Sequence, residues 1–254
     1  SVSLGDYYGM KESFVKNGTL ATTKAKWTTR KEEDNPAMAY VHNLGSVSNS
    51  GKEGFMMLGY DDIYSIEYMY EKRMGYWKHD GKVTIFDAFE KLRDNYQAIM
   101  ERCRAFDELI YDDAEKAGGK KYAEICSASY RQVISAHKLF TDKEGNLLWF
   151  SKENNSNGCV NTVDLTYPSA PLFLVYNPEL QKAMMTSIFE YSASGRWNKP
   201  FPAHDLGTYP IANGQVYGGD MPIEEGGNMV ILAAAISKIE GNADYVKKYC
   251  DLLT

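Results

Sequence analysis

The sequence predicts an α+β fold, in which the end of a β-sandwich-like domain over residues 1–82 is followed by antiparallel helical hairpins over residues 83–254. Two observations lead to this prediction. The first part of the chain consists of short apolar segments separated by turn-forming residues, a pattern typical of strands. From Thr84 onward, apolar residues instead recur every three or four positions, which indicates helices that each bury one face.

Strands are predicted at residues 37–41, 54–60 and 63–70, with one short helix near residues 10–17. The segment between the first two strands is rich in Asn, Ser and Gly, which favour turns. Because three or four strands do not close a sandwich, we expect the rest of that domain to lie upstream of Ser1.

A long helix is predicted from Thr84 to Gly118, because an unbroken apolar stripe covers this stretch. Thr84 and Asp87 have the spacing of a capping box, and the pair Gly118-Gly119 ends the helix. A second helix over residues 120–140 then runs back along the first. Such a hairpin is the repeat unit of helical bundles and toroids.

Three further helices are predicted. The third follows Asn177, with Pro178 in its first turn, and stops before Gly195. The fourth covers residues 222–239, and the fifth begins near residue 242. We therefore expect the helical part to continue beyond this chain.

The composition excludes several classes of protein. The net charge is −6, and no block of Lys or Arg offers a surface for phosphates, so we expect no nucleic-acid partner. No apolar stretch approaches the roughly 20 residues that a membrane span needs. The four cysteines are far apart and form no Cys-x-x-Cys pair, which argues against a zinc site and against a disulfide framework.

Two connections between predicted helices are unusually long, residues 141–167 and residues 194–221. Long loops that persist between well-formed helices are commonly functional. The second connection is stiffened by several prolines and leads into a helix that starts with two acidic residues. It supplies most of the candidate site residues, which are Arg196, Trp197, His204, Asp205, Tyr209, Tyr217, Asp220, Glu224 and Glu225.

The first connection adds Lys152, Glu153 and Asp164 to the candidates. If the helices alternate in direction around a ring, both connections leave similarly directed helices and meet at one mouth, where their carboxylates converge. Hydrolysis by an acid and a base requires such a convergence. Each candidate also has a structural interpretation: first-turn acids cap helices, a His-Asp pair stabilises a loop, and Asp164 is a common turn residue.

Signatures of covalent catalysis are weak in this sequence. Gly-x-Ser-x-Gly, the phosphate-binding loop, the dinucleotide-binding fingerprint and His-Glu-x-x-His are all absent. A serine nucleophile is therefore disfavoured. Cys159, beside a glycine in the first connection, stays open as a cysteine nucleophile.

Five longer motifs resemble the glutaminase A family of fungi and Bacteroides-type bacteria, and together they extend over nearly the whole chain. They are LGYDDIYSIEY from Leu58, FSKEN from Phe150, TVDLTYPSAPLF from Thr162, AHDLGTYP from Ala203 and MPIEE from Met221. The resemblance implies a β-sandwich followed by an α/α six-hairpin toroid, present here only in part. It further implies a secreted or periplasmic enzyme that hydrolyses L-glutamine to L-glutamate and ammonia. It also implies that further parts of a longer protein precede and follow these residues and pack against them.

These observations lead to three hypotheses of function. The first is an amidohydrolase, in which Glu224 or Glu225 activates water, Asp205, Asp164 or Glu153 protonates departing ammonia, and Arg196 binds the substrate carboxylate. The second is a glycoside hydrolase that uses the same acids, with Trp197, Tyr209 and Tyr217 as sugar platforms. The third is a non-catalytic binding module. We expect a small-molecule substrate, an amino acid amide or a sugar, and neither cofactor nor metal.

Overall fold

The computed structural model describes residues 2–20 and 35–254, which fold into two compact units, residues 1–59 and residues 60–254. The elements, in chain order, are β1 (Val2–Asp6), α1 (Tyr7–Asn17), β2 (Pro36–Tyr40), β3 (Ile66–Tyr68), β4 (Glu71–Arg73), a 3₁₀ turn (Tyr76–Lys78), α2 (Ile85–Asp94), α3 (Tyr96–Gly118), α4 (Lys120–Ser135), β5 (His137–Thr141), β6 (Leu147–Ser151), α5 (Val163–Tyr176), α6 (Pro178–Ala193), β7 (Ile211–Ala212), α7 (Pro222–Glu240), α8 (Asp244–Lys247) and α9 (Cys250–Leu253). The mixed α and β content agrees with the predicted fold class.

The first unit contains the antiparallel pair β1–β2 and the helix α1. The Asp6 side chain caps α1 by accepting a hydrogen bond from the backbone N–H of Gly9 at 2.7 Å. The predicted strands near residue 37 and the short helix are present. The strand predicted at residues 54–60 is wrong, because this segment is neither strand nor helix in the structure.

The second unit contains two small sheets among its described residues, β4–β3–β7 and β5–β6. In the first of these, β3 pairs antiparallel with β4 and parallel with β7. The strand predicted over residues 63–70 is therefore present only as β3, and residues 69–70 form the turn into β4. All sheets of the described residues are small and open. A β-sandwich around residues 1–82 stays a prediction, as does the domain boundary after residue 82.

Helical hairpins follow, as the apolar periodicity predicted. The capping box at Thr84 is formed, since its hydroxyl and backbone N–H exchange hydrogen bonds with Asp87. The predicted single helix is instead two, α2 and α3, because the Asn95 side chain donates to the carbonyl of Lys91 and its backbone leaves the helical region. Likewise, the second predicted helix ends at Ser135.

Residues 137–141 form β5, which pairs with β6 to make a hairpin. The long connection predicted over residues 141–167 therefore contains β6 and the first turn of α5. Two prolines inside α5, Pro168 and Pro171, concealed this helix from the sequence pattern. The Ser169 hydroxyl, which lies between the two prolines, donates to the carbonyl of Leu165 in the preceding turn.

The core of the second unit lies where α5, α6 and α7 pack together against the β5–β6 hairpin. α6 is buried along much of its length, which places it at the centre of this layer. Its neighbours α5 and α7 pack against each other, and the first turns of these two helices lie close together. No helix of the described residues has the length and apolarity that crossing a membrane requires.

Candidate active site

Acidic side chains meet where the first turns of α5 and α7 come together. Asp164 is the second residue of α5, and Glu224 and Glu225 lie in the first turn of α7. Asp164, His204 and Glu225 each present one oxygen or nitrogen atom, and the three atoms lie within 4.8 Å of one another. The structure thus brings one residue of the first connection together with two of the second. They meet at helix starts, and not at helix ends as the sequence analysis had argued.

The beginning of α5 is fixed by a buried asparagine. Asn161 has a positive φ of 54°, and its side-chain amide donates to the Met184 carbonyl and to the Ser187 hydroxyl, both at 2.8 Å. The backbone N–H of Val163 donates to the carbonyl of His204 at 2.9 Å. These contacts tie the residue before Asp164 to the loop that carries His204.

Asp205 organises that loop from within. Its side chain has no exposed surface and accepts hydrogen bonds from the backbone N–H groups of Gly207 (2.9 Å), Val216 (3.0 Å) and Tyr217 (3.1 Å). The Nδ1 atom of His204 lies 3.1 Å from the same carboxylate. With its lone pairs used in this way, Asp205 holds the loop and the imidazole and is not free to act as the predicted proton donor.

His204 is held on two sides. The Asp205 carboxylate can only accept a hydrogen bond, so the Nδ1 atom of His204 carries the hydrogen that it donates to Asp205. The Nε2 atom of His204 faces the acid cluster and lies 3.9 Å from the Asp164 carboxylate. The ring also stacks on Tyr217, with centroids 4.2 Å apart and planes inclined by 17°. The orientation of Nε2 is therefore set before any substrate binds.

Glu225 is the most perturbed acid of the cluster. Its side chain has no exposed surface, and neither carboxyl oxygen has a hydrogen-bond partner among the described residues. Burial raises the pKa of Glu225 to about 8, with further increases from Asp164 and Glu224 and a smaller decrease from the nearby amide of Asn228. At neutral pH this group is mostly protonated and carries a transferable hydrogen.

Asp164 differs from Glu225 in exposure. About a third of its side-chain surface is accessible, although its Oδ1 atom is buried without a hydrogen-bond partner. Burial also raises its pKa, His204 opposes that rise, and the negative charges of Glu153 and Glu224 add to it. The cluster therefore pairs a buried carboxylic acid with a more accessible carboxylate, an arrangement suited to acid and base chemistry.

The spacing of the three groups can be compared with two kinds of occupant. Ligand atoms about 2.1 Å from a tetrahedral zinc are roughly 3.4 Å apart, whereas hydrogen-bonding groups about 2.8 Å from a water oxygen are roughly 4.6 Å apart. The 3.9 Å between Asp164 and His204 lies between these two values, and all three atoms lie within 4.8 Å of one another. The arrangement therefore has the dimensions to hold a bound water, the oxygen of a substrate or a cation.

Two more predicted acids stand at the border of the cluster. Glu153 accepts hydrogen bonds from Thr162 at 2.9 Å and from Ser156, and its charge acts on Asp164. Glu224 is exposed to solvent and acts on both Asp164 and Glu225 through its charge. Neither is desolvated as Glu225 is.

The remaining candidates lie elsewhere. The Lys152 ammonium is 4.8 Å from the ring centre of Tyr209, beside a cavity next to the β5–β6 hairpin. Arg196 stacks on Tyr70 at 4.8 Å and lines a separate cavity. Trp197 packs against the core, and Asp220 pairs with Lys199 near the surface.

Cys159 does not support the open alternative of a thiolate nucleophile. Its side chain is buried, and burial together with the charges of Asp205 and Glu153 raises the pKa of the thiol to about 12. A nucleophilic cysteine needs the opposite shift. Sequence reasoning also missed Asn161, whose positive φ and buried amide contacts have no signature in a single sequence.

Comparisons with known proteins give a consistent result. Residues 119–254 match the profile of a family described as Glutaminase A six helical-hairpin domain, and residues 1–113 match a domain of unknown function, DUF5127. The chain is 33% identical over 261 residues to a protein named Glutaminase A from Aspergillus oryzae, covering 100% of this chain and 37% of that protein. It is 36% identical over 127 residues to a protein named Probable glutaminase from Arthroderma benhamiae, covering 49% of this chain and 15% of that protein. The chain thus spans little more than a third of the longer match, and no solved structure matches it significantly.

Proposed function

The chain belongs to the glutaminase A family, and from this premise we propose that it carries the acid and base groups of a glutaminase, which hydrolyses the side-chain carboxamide of L-glutamine to L-glutamate and ammonia. One observation carries the proposal. A buried carboxylic acid, Glu225, lies beside a more accessible carboxylate, Asp164, with one oxygen of each within 4.8 Å of the other. Amide hydrolysis needs one group to deprotonate water and another to protonate the leaving nitrogen.

The two environments assign the two roles. Glu225 is protonated at neutral pH because burial raises its pKa to about 8, so it is the acid. Asp164, which reaches solvent, is the base. This reverses the order expected from the sequence, in which a glutamate of α7 was the base and Asp164 the acid.

The proposed hydrolysis uses two proton transfers, one to Asp164 and one from Glu225. Asp164 takes a proton from water while the water oxygen bonds to the carboxamide carbon, and Glu225 gives its proton to the amide nitrogen as the carbon–nitrogen bond breaks. Ammonia and the new carboxylic acid leave, and exchange with solvent returns a proton to Glu225 and removes one from Asp164. His204, oriented by Asp205, holds the water through its Nε2 atom.

A retaining glycoside hydrolase is the second candidate, because the oxygen separation within 4.8 Å approaches the roughly 5 to 5.5 Å between the carboxyl groups of such enzymes. Less supports it than supports a glutaminase. Trp197, one of the expected sugar platforms, packs into the core, and only Tyr217 stands beside the acids. A pure binding module is disfavoured, since Glu225 is buried and unpaired at a cost to stability.

An assay of the full-length protein tests the proposal. We expect ammonia release from L-glutamine, and no reducing-sugar release from oligosaccharides. Asp164→Asn should lower kcat by roughly 10²- to 10⁴-fold, the usual contribution of an acid–base group. Glu101→Gln, an exposed change on α3, is the matched control and should leave kcat unaltered. Sugar release without ammonia release, or full activity of Asp164→Asn, would refute the assignment.

Secretion or export to the periplasm, which the resemblance implies, belongs to the same proposal. Fractionation of the producing cells, with the protein followed by antibody, tests it. Recovery in the cytosolic fraction alone would contradict it.

A further inference from the structure

A cavity of about 240 Å³ adjoins the β5–β6 hairpin and is distinct from the acid cluster in its lining. Lys138, Ser151, Lys152, Asn154 and Tyr209 line it together with apolar side chains from the core. Its volume is many times the roughly 10–15 Å³ that one water needs, so a small organic group fits.

Two ammonium groups face the same aromatic ring of this cavity. The Nζ atom of Lys152 is 4.8 Å from the ring centre of Tyr209, and that of Lys138 is 5.7 Å from it. Lys138 is paired with Asp62. In the part of the chain that the structure describes, no carboxylate lies within 4 Å of Lys152, so the cavity keeps one uncompensated positive charge.

A buried polar atom adds to this charge. Ser151 is 6% exposed, and its hydroxyl oxygen has no hydrogen-bond partner among the described residues. Buried hydroxyls are normally paired, so an unpaired one in the wall of a cavity points to a missing partner. Lys152, whose side chain is exposed, is the donor that a carboxylate in the cavity would meet first.

The cavity and the acid cluster are built from the same segments of chain. Lys152 pairs with Val160 in an isolated bridge, and the backbone N–H of Tyr209 donates to Gly158 at 3.1 Å. Asp164 follows Val160 by four residues, so the backbone positions of these two residues are at most about 14 Å apart. One extended amino acid together with a lysine side chain bridges a distance of this order.

We propose that this cavity binds the α-carboxylate of the amino-acid substrate, with Lys152 as its principal cation, while the side-chain amide faces Asp164 and Glu225. The inference rests on the proposed glutaminase function. It transfers to Lys152 the role that the sequence analysis gave to Arg196. The cavity beside Arg196 is lined by four acids, Glu71, Asp142, Glu144 and Glu190, against three cations, Arg73, Lys143 and Arg196, so its lining is on balance acidic and favours a carboxylate less.

Paired substrates separate carboxylate binding from chemistry. L-glutamine carries the α-carboxylate, and 4-aminobutanamide has the same carboxamide and amine without it. Lys152→Met should raise the KM for L-glutamine about 10- to 100-fold, the range for losing a hydrogen bond to a charged group, with kcat preserved. The KM for 4-aminobutanamide should stay unaltered, and Lys152→Arg should restore part of the loss.

Lys120→Met, an exposed change at the start of α4, is the control. An unchanged KM for L-glutamine in Lys152→Met, or an equal loss with both substrates, would overturn the inference. Calorimetry with L-glutamate gives a readout that does not depend on turnover, and Lys152→Met should weaken this binding by the same factor. If the wild-type protein releases no ammonia yet binds L-glutamate through Lys152, the proposed function fails and the carboxylate site stands. If it binds no L-glutamate, the site fails.

Discussion

Replacing Glu225 by Gln should remove activity and stabilise the protein at the same time. The two side chains have nearly the same shape, but Gln has no proton to transfer. Loss of the acid is expected to lower kcat for ammonia release by roughly 10²- to 10⁴-fold. Few substitutions of a residue that only packs lower activity and raise stability together. Observing both effects in Glu225→Gln would therefore identify Glu225 as a buried catalytic acid.

The size of the stabilisation follows from the burial of Glu225. In the unfolded chain this carboxyl ionises near its ordinary value of 4.5, whereas in the folded protein its pKa is about 8. The folded state therefore holds a proton that the unfolded state loses between those values, and stability falls as the pH rises through this window. At pH 7 the loss covers about 2.5 pH units at about 1.4 kcal/mol each, so up to roughly 3 kcal/mol.

Denaturant unfolding at two pH values measures this directly. At pH 4, where both states are protonated, Glu225→Gln and the wild type should have similar free energies of unfolding. At pH 7 the variant should be more stable by up to about 3 kcal/mol, and Glu101→Gln should show no such difference. A variant that is less stable at pH 7, or that still releases ammonia at the wild-type rate, would refute the account of Glu225 as a buried acid.

Three further changes have definite expected outcomes. Asp205→Asn removes a buried carboxylate that accepts three backbone hydrogen bonds, and it should cost about 3 kcal/mol in urea unfolding; a neutral result would mean that the loop does not depend on this group. His137 stacks on a tryptophan, and burial lowers its pKa to about 4, so the stability it gives above pH 6.5 is lost as the pH falls toward 4. His137→Gln should reduce that loss by up to about 3 kcal/mol, and an identical acid profile would contradict the assignment. Gly207 has a φ of 142°, and a β-carbon at this position would stand 2.1 Å from the carbonyl oxygen of Ile211. Gly207→Ala should therefore lower the melting temperature by several degrees or prevent folding. An unchanged melting curve would be incompatible with this turn.

Periodicity and capping predicted the helices well, because both depend on neighbours within one turn. The capping box at Thr84 and the helix that begins with Pro178 are present as expected. The same local signals failed at α5, since Pro168 and Pro171 read as breakers although packing against α6 and α7 compensates for the lost backbone hydrogen bonds.

The candidate site was predictable only in part. The sequence indicated that Asp164 and Glu225 converge, and the structure brings them together. It did not indicate which acid is desolvated, because Glu224 and Glu225 are adjacent in sequence and differ only in the direction they face on α7. Nor could it show that Arg196 lines another cavity, since that depends on the path of the whole second connection.

The parallel pairing of β3 with β7 joins residues separated by about 144 positions, as in Glu67 with Ile211. During synthesis β3 emerges long before its neighbour, while α3 and α4 close by contacts near in sequence. Because distant pairings are the slow ones in folding, we expect the helical hairpins to form before this pairing. The loop that carries His204 and Asp205 leads directly into β7, so we expect it to become ordered together with this late strand pairing, after α6 is in place.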